Sequence, residues 1–592
     1  MNPSSRQTVA QTIDAAAQLH RAGQLSEAER RYRQVLAVHP DNADALHLLG
    51  VLSSQQGRED VAADLIRRAI ARDPRQPMYH GNLGLALSRL GRLDEAIACF
   101  EKALALGSRD PNVLNNYADA LRKAGKSDRA LPIFRQAIAM DPRLAESHNN
   151  LGIALADLGR IDEAVASYHE ALRLDPRFAE VRNNLGNALL KKHLFDEAIR
   201  EFEQALAARP DYPEALMNLG AALKAANQDD RAIDLFRRAL KLRPDFFEAL
   251  LNYGQALCDR RQFDQAIAAF RKAIALRPDD PAAHFHLSGV LLLTGNFADG
   301  WREYEWRLLK PDFGPAQTRF PQPRWTGQDL AGKRVFLHAE QGAGDIVQFC
   351  RLATLLARRG AQTILACPPT LLRLLRTLDG ISHLLTNTQT VPDFDYHCYL
   401  LSLPLLLGLN LQTIPAHVPY LHPQPDSAEH WRTRLMPLGN RKKIGLVWAG
   451  NPNYSNDHNR SIPLPAFAQL AEVSGVVFIS LQKSDAANPV ATPGFELIDH
   501  TAEIFDYADT AALIANLDLV IAVDTSVAHL AGALAKPVWT LLPFHPDLRW
   551  MLDRSDSPWY PTMRLFRQPR PGDWQTPIRQ IADALGEFVK AP

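Results

Sequence analysis

The chain has 592 residues, with 66 Lys plus Arg and 66 Asp plus Glu, so its formal net charge is zero. This length predicts several domains, each large enough to bury its own core, and the balanced charge gives no reason to expect binding to nucleic acid. The five cysteines form no close pair and stand in apolar stretches, which is typical of small buried side chains in a reducing compartment.

The N-terminal residues 1–20 lack the apolar core of a secretory signal. The longest apolar run, 399–411, is interrupted by Ser402 and Pro404 and is too short to span a bilayer. We therefore expect a cytoplasmic protein without a transmembrane segment. Peripheral attachment to a membrane complex stays open.

Residues 7–311 form an internal repeat, because their columns align when the chain is written in rows of 34 residues. One column, mostly aromatic, contains Tyr32, Ile66, Phe100, Phe134, Tyr168, Phe202, Phe236, Phe270 and Tyr304. A column of small residues contains Ala28, Ala62, Ala96, Ala130, Ala164, Ala198, Ala232, Ala266 and Gly300. Leu-Gly pairs and closing prolines keep the same step. The pattern resembles the tetratricopeptide repeat, and it predicts about nine helix pairs stacked into a superhelix with a concave surface.

A further column consists of asparagines: Asn82, Asn116, Asn150, Asn184, Asn218 and Asn252. A ladder of amides offers donors and acceptors to an extended peptide backbone, and the arrangement is similar to the asparagine ladder of the tetratricopeptide-bearing protein O-GlcNAc transferases. Asparagine at this position is also common in ordinary repeats. A peptide groove and a purely structural column therefore both stay open.

The ninth repeat departs from the others, because Gly300 replaces the small alanine and residues 301–307, WREYEWR, are rich in aromatics. A terminal repeat has to cover an open apolar end. We expect this one to pack on the domain that follows, beyond the Pro-rich connection 311–323.

The second half alternates short β-rich runs with helical ones, which predicts two α/β lobes whose parallel sheets carry helices on both faces. The first lobe, 312–425, has predicted strands at 335–339, 363–367, 383–385 and 396–400 and helices near 345–358 and 369–378. The second lobe, 426–592, has predicted strands at 443–449, 476–482, 495–498, 517–523 and 538–542 and helices near 463–472 and 576–590. Residues 414–425 are the predicted linker. Two such lobes form a cleft, and ligands of open parallel sheets bind beyond the carboxyl ends of the strands.

One strand end in the second lobe is IAVDTSVAHLAGALAKP, 521–537, a predicted strand, turn and helix. Thr525 and Ser526 fall at the helix N-terminus, where free N–H groups and the helix dipole suit a phosphate. His529 lies on the same face within the first turn. This predicts a nucleotide diphosphate as the ligand. The alternative is that Thr525 or Ser526 only caps the helix.

The corresponding loop of the first lobe is EQGAGD, 340–345. Its glycines, Gly344 among them, allow a close approach to a nucleotide sugar, but Val347 stands where a dinucleotide fingerprint has its third glycine. Asp345 either caps the following helix or faces the cleft as a general base for an acceptor hydroxyl.

The long polar loop 450–461 follows the first strand of the second lobe. We predict that Arg460 neutralises the leaving phosphate, since a guanidinium makes bidentate phosphate contacts. Gln482, with Lys483 beside it, ends the next strand and is predicted to contact the base or the ribose. For each of these residues a solvated loop position is the alternative.

The sequence contains no H-E-x-x-H motif, no Walker-type G-K-[ST] loop, no G-x-S-x-G elbow and no Cys/His metal cluster. It therefore predicts no metal site and no cofactor, and it argues against an ATPase or a metal-dependent hydrolase.

Together, QGAGDIVQF (341–349) and VDTSVAHLAGALAKPV (523–538) resemble the heptosyltransferase family of GT-B glycosyltransferases, glycosyltransferase family 9, over about 334–589. The resemblance implies that Asp345 is the catalytic base and that Asp524, Thr525 and His529 contact the diphosphate of a nucleotide sugar. Ser526 stands where the family usually has Gly, and Arg460 replaces a Lys, so ADP-heptose is not carried over as the donor. The plan of repeats plus a GT-B unit is similar to that of the protein O-GlcNAc transferases, although their His-Thr-Thr motif has no clear counterpart.

The sequence thus predicts a metal-independent, inverting glycosyltransferase of the hexosyl- or heptosyltransferase type. Its nucleotide-sugar donor is a co-substrate, and its acceptor is a protein or glycan hydroxyl presented by the repeats. One alternative is a scaffold whose GT-B unit is an inactive or regulatory nucleotide sensor. Another is a different GT-B enzyme, such as a sugar-nucleotide epimerase.

Overall fold

The structure is a computed structural model that describes residues 3–311, 313, 320–454, 456–483 and 494–590, with side chains from residue 8 onward. It divides into two compact units, Met1–Pro244 and Asp245–Pro592. Within the described ranges, no helix is both long and apolar enough to cross a membrane. Much of the predicted Pro-rich connection (312 and 314–319) lies outside the described residues, and the boundaries 7–311, 312–425 and 426–592 stay predictions.

The first unit consists, along its described residues, of helix pairs joined by short turns. The helices are α1 (Pro3–Arg21), α2 (Leu25–Val38), α3 (Ala43–Gln55), α4 (Glu59–Arg72), α5 (Pro77–Arg89), α6 (Leu93–Ala105), α7 (Pro111–Lys123), α8 (Ser127–Met140), α9 (Ala145–Asp157), α10 (Ile161–Leu174), α11 (Ala179–Lys191), α12 (Phe195–Ala208), α13 (Pro213–Ala225) and α14 (Asp229–Leu242).

Most pairs close where a glycine of the first helix faces the aromatic residue of the second. A Cβ atom placed on Gly186 would lie 2.5 Å from Cε1 of Phe202, and one on Gly220 would lie 2.7 Å from Cε1 of Phe236. Both rings are completely buried. The Leu-Gly and aromatic columns are therefore the two sides of one helix–helix contact, and the predicted tetratricopeptide repeat is confirmed.

The second unit begins with two more helix pairs. Their helices are α15 (Phe247–Asp259), α16 (Phe263–Leu276), α17 (Pro281–Leu293) and α18 (Phe297–Tyr304). Beyond them, the ring of Trp301 meets that of Phe349 edge-on at a centroid distance of 6.3 Å. Arg307 donates to Glu340 across 2.8 Å, and both side chains are buried. The last repeat thus packs on the α/β part, as its aromatic composition predicted.

The first sheet is parallel, with the strand order β3-β2-β1-β4. Its strands are β1 (Arg334–His338), β2 (Gln362–Cys367), β3 (Ile381–Thr386) and β4 (Tyr396–Tyr399), and its helices are α19 (Ala343–Phe349), α20 (Arg351–Arg358), α21 (Pro369–Leu375) and α22 (Leu403–Leu406). Val335 and Leu337 belong to the core cluster that contains α19 and α20, whereas Phe336 belongs to a small cluster of strand and loop residues. The expectation of helices on both faces is wrong for this sheet along its described residues. Residues 387–395, which join β3 to β4, are too few for a helical crossover.

The second sheet is also parallel, with the order β10-β9-β8-β5-β6-β7. Its strands are β5 (Lys442–Val447), β6 (Val476–Ser480), β7 (Leu497–Asp499), β8 (Leu519–Val523), β9 (Val538–Leu542) and β10 (Met563–Arg567). Its helices are α23 (Pro425–Leu435), α24 (Asp457–Arg460), α25 (Tyr507–Ala515), α26 (Ser526–Ala533) and α27 (Gln575–Lys590).

Four of these elements, α23, the short α24, α25 and β10, were not predicted, and the predicted helix near 463–472 is a 3-10 helix, Leu464–Glu472. The strand order changes direction between β5 and β8, and ligands of such sheets bind beyond the strand ends at that switch point. Helical repeats followed by an α/β part with two parallel sheets confirm the predicted fold class.

Candidate functional site

The turn after β8 places three of the predicted residues at the start of α26. Thr525 is the N-cap residue, with an extended backbone (φ −142°, ψ 169°), yet its side chain accepts no hydrogen bond from the helix. Its Oγ1 atom is buried and has no hydrogen-bond partner among the described residues. A buried hydroxyl without a partner is destabilising. Helix capping, the simpler interpretation, therefore does not describe this hydroxyl, whereas a ligand would satisfy it.

The backbone of the same turn leaves donors for such a ligand. The N–H groups of Ala528 and His529 both donate to the carbonyl of Thr525, at 3.1 and 3.4 Å. The two earlier amides of α26, those of Ser526 and Val527, belong to the first turn, whose N–H groups have no acceptor within a helix. The Ser526 hydroxyl lies 2.9 Å from the Tyr507 hydroxyl. The start of α26 thus has the donors and the dipole direction that suit an anion.

His529 is buried behind this turn. Its ring stacks on that of Trp550, with centroids 5.1 Å apart, and its Nδ1 atom lies 3.0 Å from the Tyr560 hydroxyl. Burial, and then the nearby Arg549, lower the pKa of His529 well below its usual range, so the imidazole is neutral. Nε2 lies 3.3 Å from Nη1 of Arg549. Because a guanidinium can only donate, Nε2 accepts and Nδ1 carries the proton toward Tyr560.

The Gly-Asp loop of the first lobe lies directly against this turn. A Cβ atom placed on Gly344 would lie 3.0 Å from Cδ2 of His529 and 3.3 Å from Cα of Ser526. Glycine at 344 therefore lets the start of α19 approach the start of α26. This packing explains why the position is a glycine, and no bound dinucleotide is needed to account for it.

Asp345 is not the N-cap residue of α19, although its carboxylate helps to cap the helix from the third position. The helix begins at Ala343, two residues earlier than predicted, with Gly342 as the N-cap residue. Asp345 is the third helical residue, and its Oδ2 atom accepts the N–H of Gly342 at 3.0 Å. The predicted position of Asp345 is thus off by two residues while its capping contact is present, and its other carboxylate oxygen is directed toward the second lobe.

Arg549, which the sequence analysis missed, joins the two loops. Its Nη2 atom donates to Oδ1 of Asp345 at 2.6 Å, and its Nε atom lies 2.8 Å from Oδ1 of Asp547. The side chains of Arg549 and Asp345 are only 13% and 14% exposed. One signal could have drawn attention to this arginine: its loop, like the predicted ones, follows the carboxyl end of a predicted strand, 538–542.

Asp524 adds a buried carboxyl group to the site. Its burial, and then the neighbouring Asp547, raise the pKa of its carboxyl from 3.8 to about 6. Arg460 and Arg549 act in the opposite direction. The surroundings of Asp524 therefore destabilise its ionised form, and the carboxyl binds a proton in mildly acidic solution.

Arg460 reaches the same turn from the loop after β5. Its Nη1 atom donates to the Asp524 carbonyl at 3.0 Å, and its Nε atom donates to Oδ1 of Asp457 at 2.9 Å. Its guanidinium also lies 4.7 Å from the ring centre of Tyr454. The structure thus brings this predicted cation to the predicted phosphate turn.

Gln482 lies one strand further along the sheet. Its Oε1 atom accepts the N–H groups of Trp448 and Ala449, at 3.3 and 2.9 Å. Lys483 donates to the carbonyl of Ile504 at 2.8 Å. Gln482 therefore supports the end of β5, and the contact with a base or ribose stays a prediction.

The asparagine column forms side-chain hydrogen bonds between successive repeats of the first unit, three of them between two amides and one between an amide and an imidazole. Each pair joins a column residue to the residue 35 positions earlier: Asn82 to His47 (2.8 Å), Asn150 to Asn115 (3.2 Å), Asn184 to Asn149 (3.1 Å) and Asn218 to Asn183 (2.8 Å). An amide has two N–H donors and a carbonyl acceptor, so each column residue keeps hydrogen-bonding capacity after this contact. The peptide groove stays a prediction, and Asn116 and Asn252 belong to the same predicted column.

Comparison with known families agrees with this architecture. Tetratricopeptide-repeat models match residues 12–143, 115–180, 183–245 and 230–284. The model of glycosyltransferase family 9 (heptosyltransferase) matches residues 505–570. This second match includes β8, α26 and the loop that carries Arg549.

Among individual proteins, FlbA of Caulobacter vibrioides is 28% identical over 336 residues, which are 52% of this chain and 55% of FlbA. The chain therefore spans about half the length of this relative.

Two solved structures illustrate the likeness of the repeats. Cut9–Hcn1, a hetero-tetramer of the APC/C, is 19% identical with a TM-score of 0.39, over 44% of this chain and 52% of that one. TTC0263, a TPR protein of Thermus thermophilus, is 27% identical with a TM-score of 0.28, over 31% of this chain and 98% of its own.

The family matches and the geometry describe one arrangement. The chain carries tetratricopeptide repeats across its N-terminal region, followed by an α/β part whose C-terminal lobe contains a segment that matches the glycosyltransferase family 9 model.

Proposed function

We propose that the α/β part is a glycosyltransferase that moves a sugar from a nucleotide-sugar donor to a hydroxyl of a protein or glycan, and that the repeats present this acceptor. One observation carries the proposal. The Gly344–Asp345 turn of one lobe packs on the Thr525–His529 turn of the other, at the carboxyl ends of two parallel sheets. The carboxylate of Asp345 and the start of α26 then lie on opposite sides of one site. This is the arrangement that the transfer of a sugar from a nucleoside diphosphate to a hydroxyl requires.

In the proposed reaction Asp345 takes the proton of the acceptor hydroxyl while that oxygen bonds to the anomeric carbon of the donor. The bond from this carbon to the phosphate oxygen breaks, and its electron pair leaves with the nucleoside diphosphate. The first amides of α26 and the Thr525 hydroxyl hold the diphosphate. Arg460 and Arg549 compensate the charge that develops on it. A single displacement of this kind inverts the configuration, and it involves no metal ion.

The donor is proposed only as a class. The family 9 match supports a glycosyltransferase in general, and a hexosyl or heptosyl donor is the expectation from the resemblance. Ser526 and Arg460 depart from the family pattern at the phosphate, so a test has to include donors with different sugars and bases.

A second function is a scaffold whose α/β part senses a nucleotide without turnover. The observation that favours it is that both carboxylate oxygens of Asp345 already have partners, Arg549 and the N–H of Gly342. A base in this state has to be released before it can act.

The test incubates the full chain with a panel of nucleotide sugars and candidate acceptor proteins and measures intact masses. Transfer appears as the mass of one sugar on an acceptor. Asp345→Asn should lower the rate about 100-fold or more, because a positioned general base typically contributes that much. Asp379→Asn, an exposed aspartate of the same lobe, is the matched control and should leave the rate unchanged. Nucleotide binding without transfer would favour the scaffold, and full activity of a folded Asp345→Asn protein would refute the base assignment.

A further inference from the structure

Arg549 is held by one lobe and reaches the other with a single contact. Within its own loop, its Nε atom lies 2.8 Å from Asp547, and its backbone N–H donates to the same carboxylate at 3.1 Å. Its Nη1 atom lies 3.3 Å from His529, also in the second lobe. Among the residues that the structure describes, Nη2 alone reaches the first lobe, where it meets Asp345 at 2.6 Å. Breaking this one contact would leave the guanidinium anchored by its other groups.

The partner of that contact can be exchanged. A guanidinium binds carboxylate and phosphate with the same donor geometry. Nη1 of Arg549 lies against His529, on the turn that offers its first amides to a phosphate. A diphosphate in this turn brings at least two negative charges next to a guanidinium that otherwise faces the single charge of Asp345. The incoming anion is therefore the stronger competitor for Nη2.

Building on the proposed function, we propose that Arg549 couples donor binding to the catalytic base. In the empty site Arg549 occupies Oδ1 of Asp345. When the diphosphate binds, Nη2 turns to a phosphate oxygen and Asp345 keeps only the N–H of Gly342, at Oδ2. Oδ1 is then free to take the proton of the acceptor hydroxyl. The donor has to bind before the acceptor can be activated, and the same cation that releases the base compensates the leaving group.

The test measures the binding of inorganic pyrophosphate to the full chain by calorimetry at one pH. Pyrophosphate probes the anion site without requiring the right base or sugar. Asp345→Asn should bind it about tenfold more tightly than the wild type, because the competitor for Nη2 is removed. In the Arg549→Lys background the same substitution should change the affinity less than about twofold, since a lysine makes no fork between two partners. Asp379→Asn is the control for the loss of a negative charge from the first lobe.

Three outcomes would overturn the coupling. The wild type and Asp345→Asn could bind pyrophosphate equally well, or the tighter binding of Asp345→Asn could persist in the Arg549→Lys background. The third outcome is that none of these proteins binds pyrophosphate. If Arg549→Lys does not fold, hydrogen exchange gives a second measurement. Pyrophosphate should speed exchange of the α19 amides in the wild type, where the contact between the lobes is broken, and leave their exchange unchanged in Asp345→Asn. Unchanged exchange in the wild type would overturn the coupling as well.

The coupling and the proposed function fail in different ways. If pyrophosphate behaves as expected but no nucleotide sugar yields transfer to any acceptor, the glycosyltransferase proposal fails and the coupling stands. If transfer occurs but Asp345→Asn binds pyrophosphate no better than the wild type, the coupling alone fails.

Discussion

Donor binding should be linked to the uptake of a proton by Asp524. This carboxyl is buried beside Asp547, and its pKa is raised from 3.8 to about 6. A diphosphate bound at the adjacent turn adds negative charge and raises the pKa of Asp524 further. Between pH 6 and the new value, the complex binds a proton that the free protein does not.

The sign and the size follow from linkage. Because the complex holds more protons than the free protein, affinity falls as pH rises. If the donor raises the pKa of Asp524 by about one further unit, a modest effect for charges a few ångströms apart, binding is about fivefold tighter at about pH 6 than at about pH 8. His529 does not contribute over this range, because burial and Arg549 lower its pKa well below 6.5.

The assay is calorimetric titration with a nucleotide sugar at both pH values, repeated in two buffers of different ionisation enthalpy to count protons. A nucleotide sugar is the right probe because both of its phosphates are esterified, whereas a terminal phosphate titrates near pH 6 itself. Asp524→Asn should abolish the pH dependence and bind more tightly at the higher pH. Equal affinity of the wild type at the two values, with no proton uptake, would refute the reasoning.

Two further predictions concern stability. Gly254→Ala should destabilise the protein by about 1–2 kcal/mol, because its Cβ would lie 2.5 Å from Cε1 of Phe270 and the cost of overpacking exceeds the gain in helix propensity. Gly289→Ala is the control: its Cβ would meet nothing within 4 Å, so it should stabilise the protein by up to about 1 kcal/mol. Thermal unfolding that shows the same sign for both variants would contradict the contact. Arg307→Met should cost about 3–5 kcal/mol, since it leaves the buried carboxylate of Glu340 without its charged partner. Arg441→Met, which breaks an exposed ion pair, should cost less than about 1 kcal/mol. Similar losses in denaturant unfolding would contradict this ranking.

The repeats were predictable because their contacts are local and recur. In most pairs a glycine meets the aromatic residue of the next helix, so the contact of Gly186 with Phe202 recurs with the period of the array. Most strands of the α/β part, although not β10, were predictable because they are largely buried and appear as apolar runs. The helix α23 was missed because only Trp431 and Leu435 of its residues are buried, which leaves almost no periodic signal. The helix α25 was missed for the opposite reason: its segment 508–514 is buried almost throughout, which also leaves no alternation of apolar and polar positions.

The site was predictable where its chemistry lies within a short segment. Asp524, Thr525 and His529 share one strand–turn–helix motif, so their common location follows from the local pattern. Arg549 could not be recognised in this way, because its carboxylate partner Asp345 is 204 residues distant in the chain. That contact exists only once the two lobes have come together.

The close approach of the two helices connects these results. Gly344 contains no group that can donate, accept or titrate beyond its backbone, yet a methyl group at this position would lie only 3.0 Å from Cδ2 of His529 and would force the buried ring to shift. The packing contact fixes the distance between the Asp345 carboxylate and the start of α26. At this distance the guanidinium of Arg549 reaches from the second lobe to Asp345. The glycine that resembles part of a phosphate loop is therefore better explained as the spacer that lets one arginine serve both the base and the diphosphate.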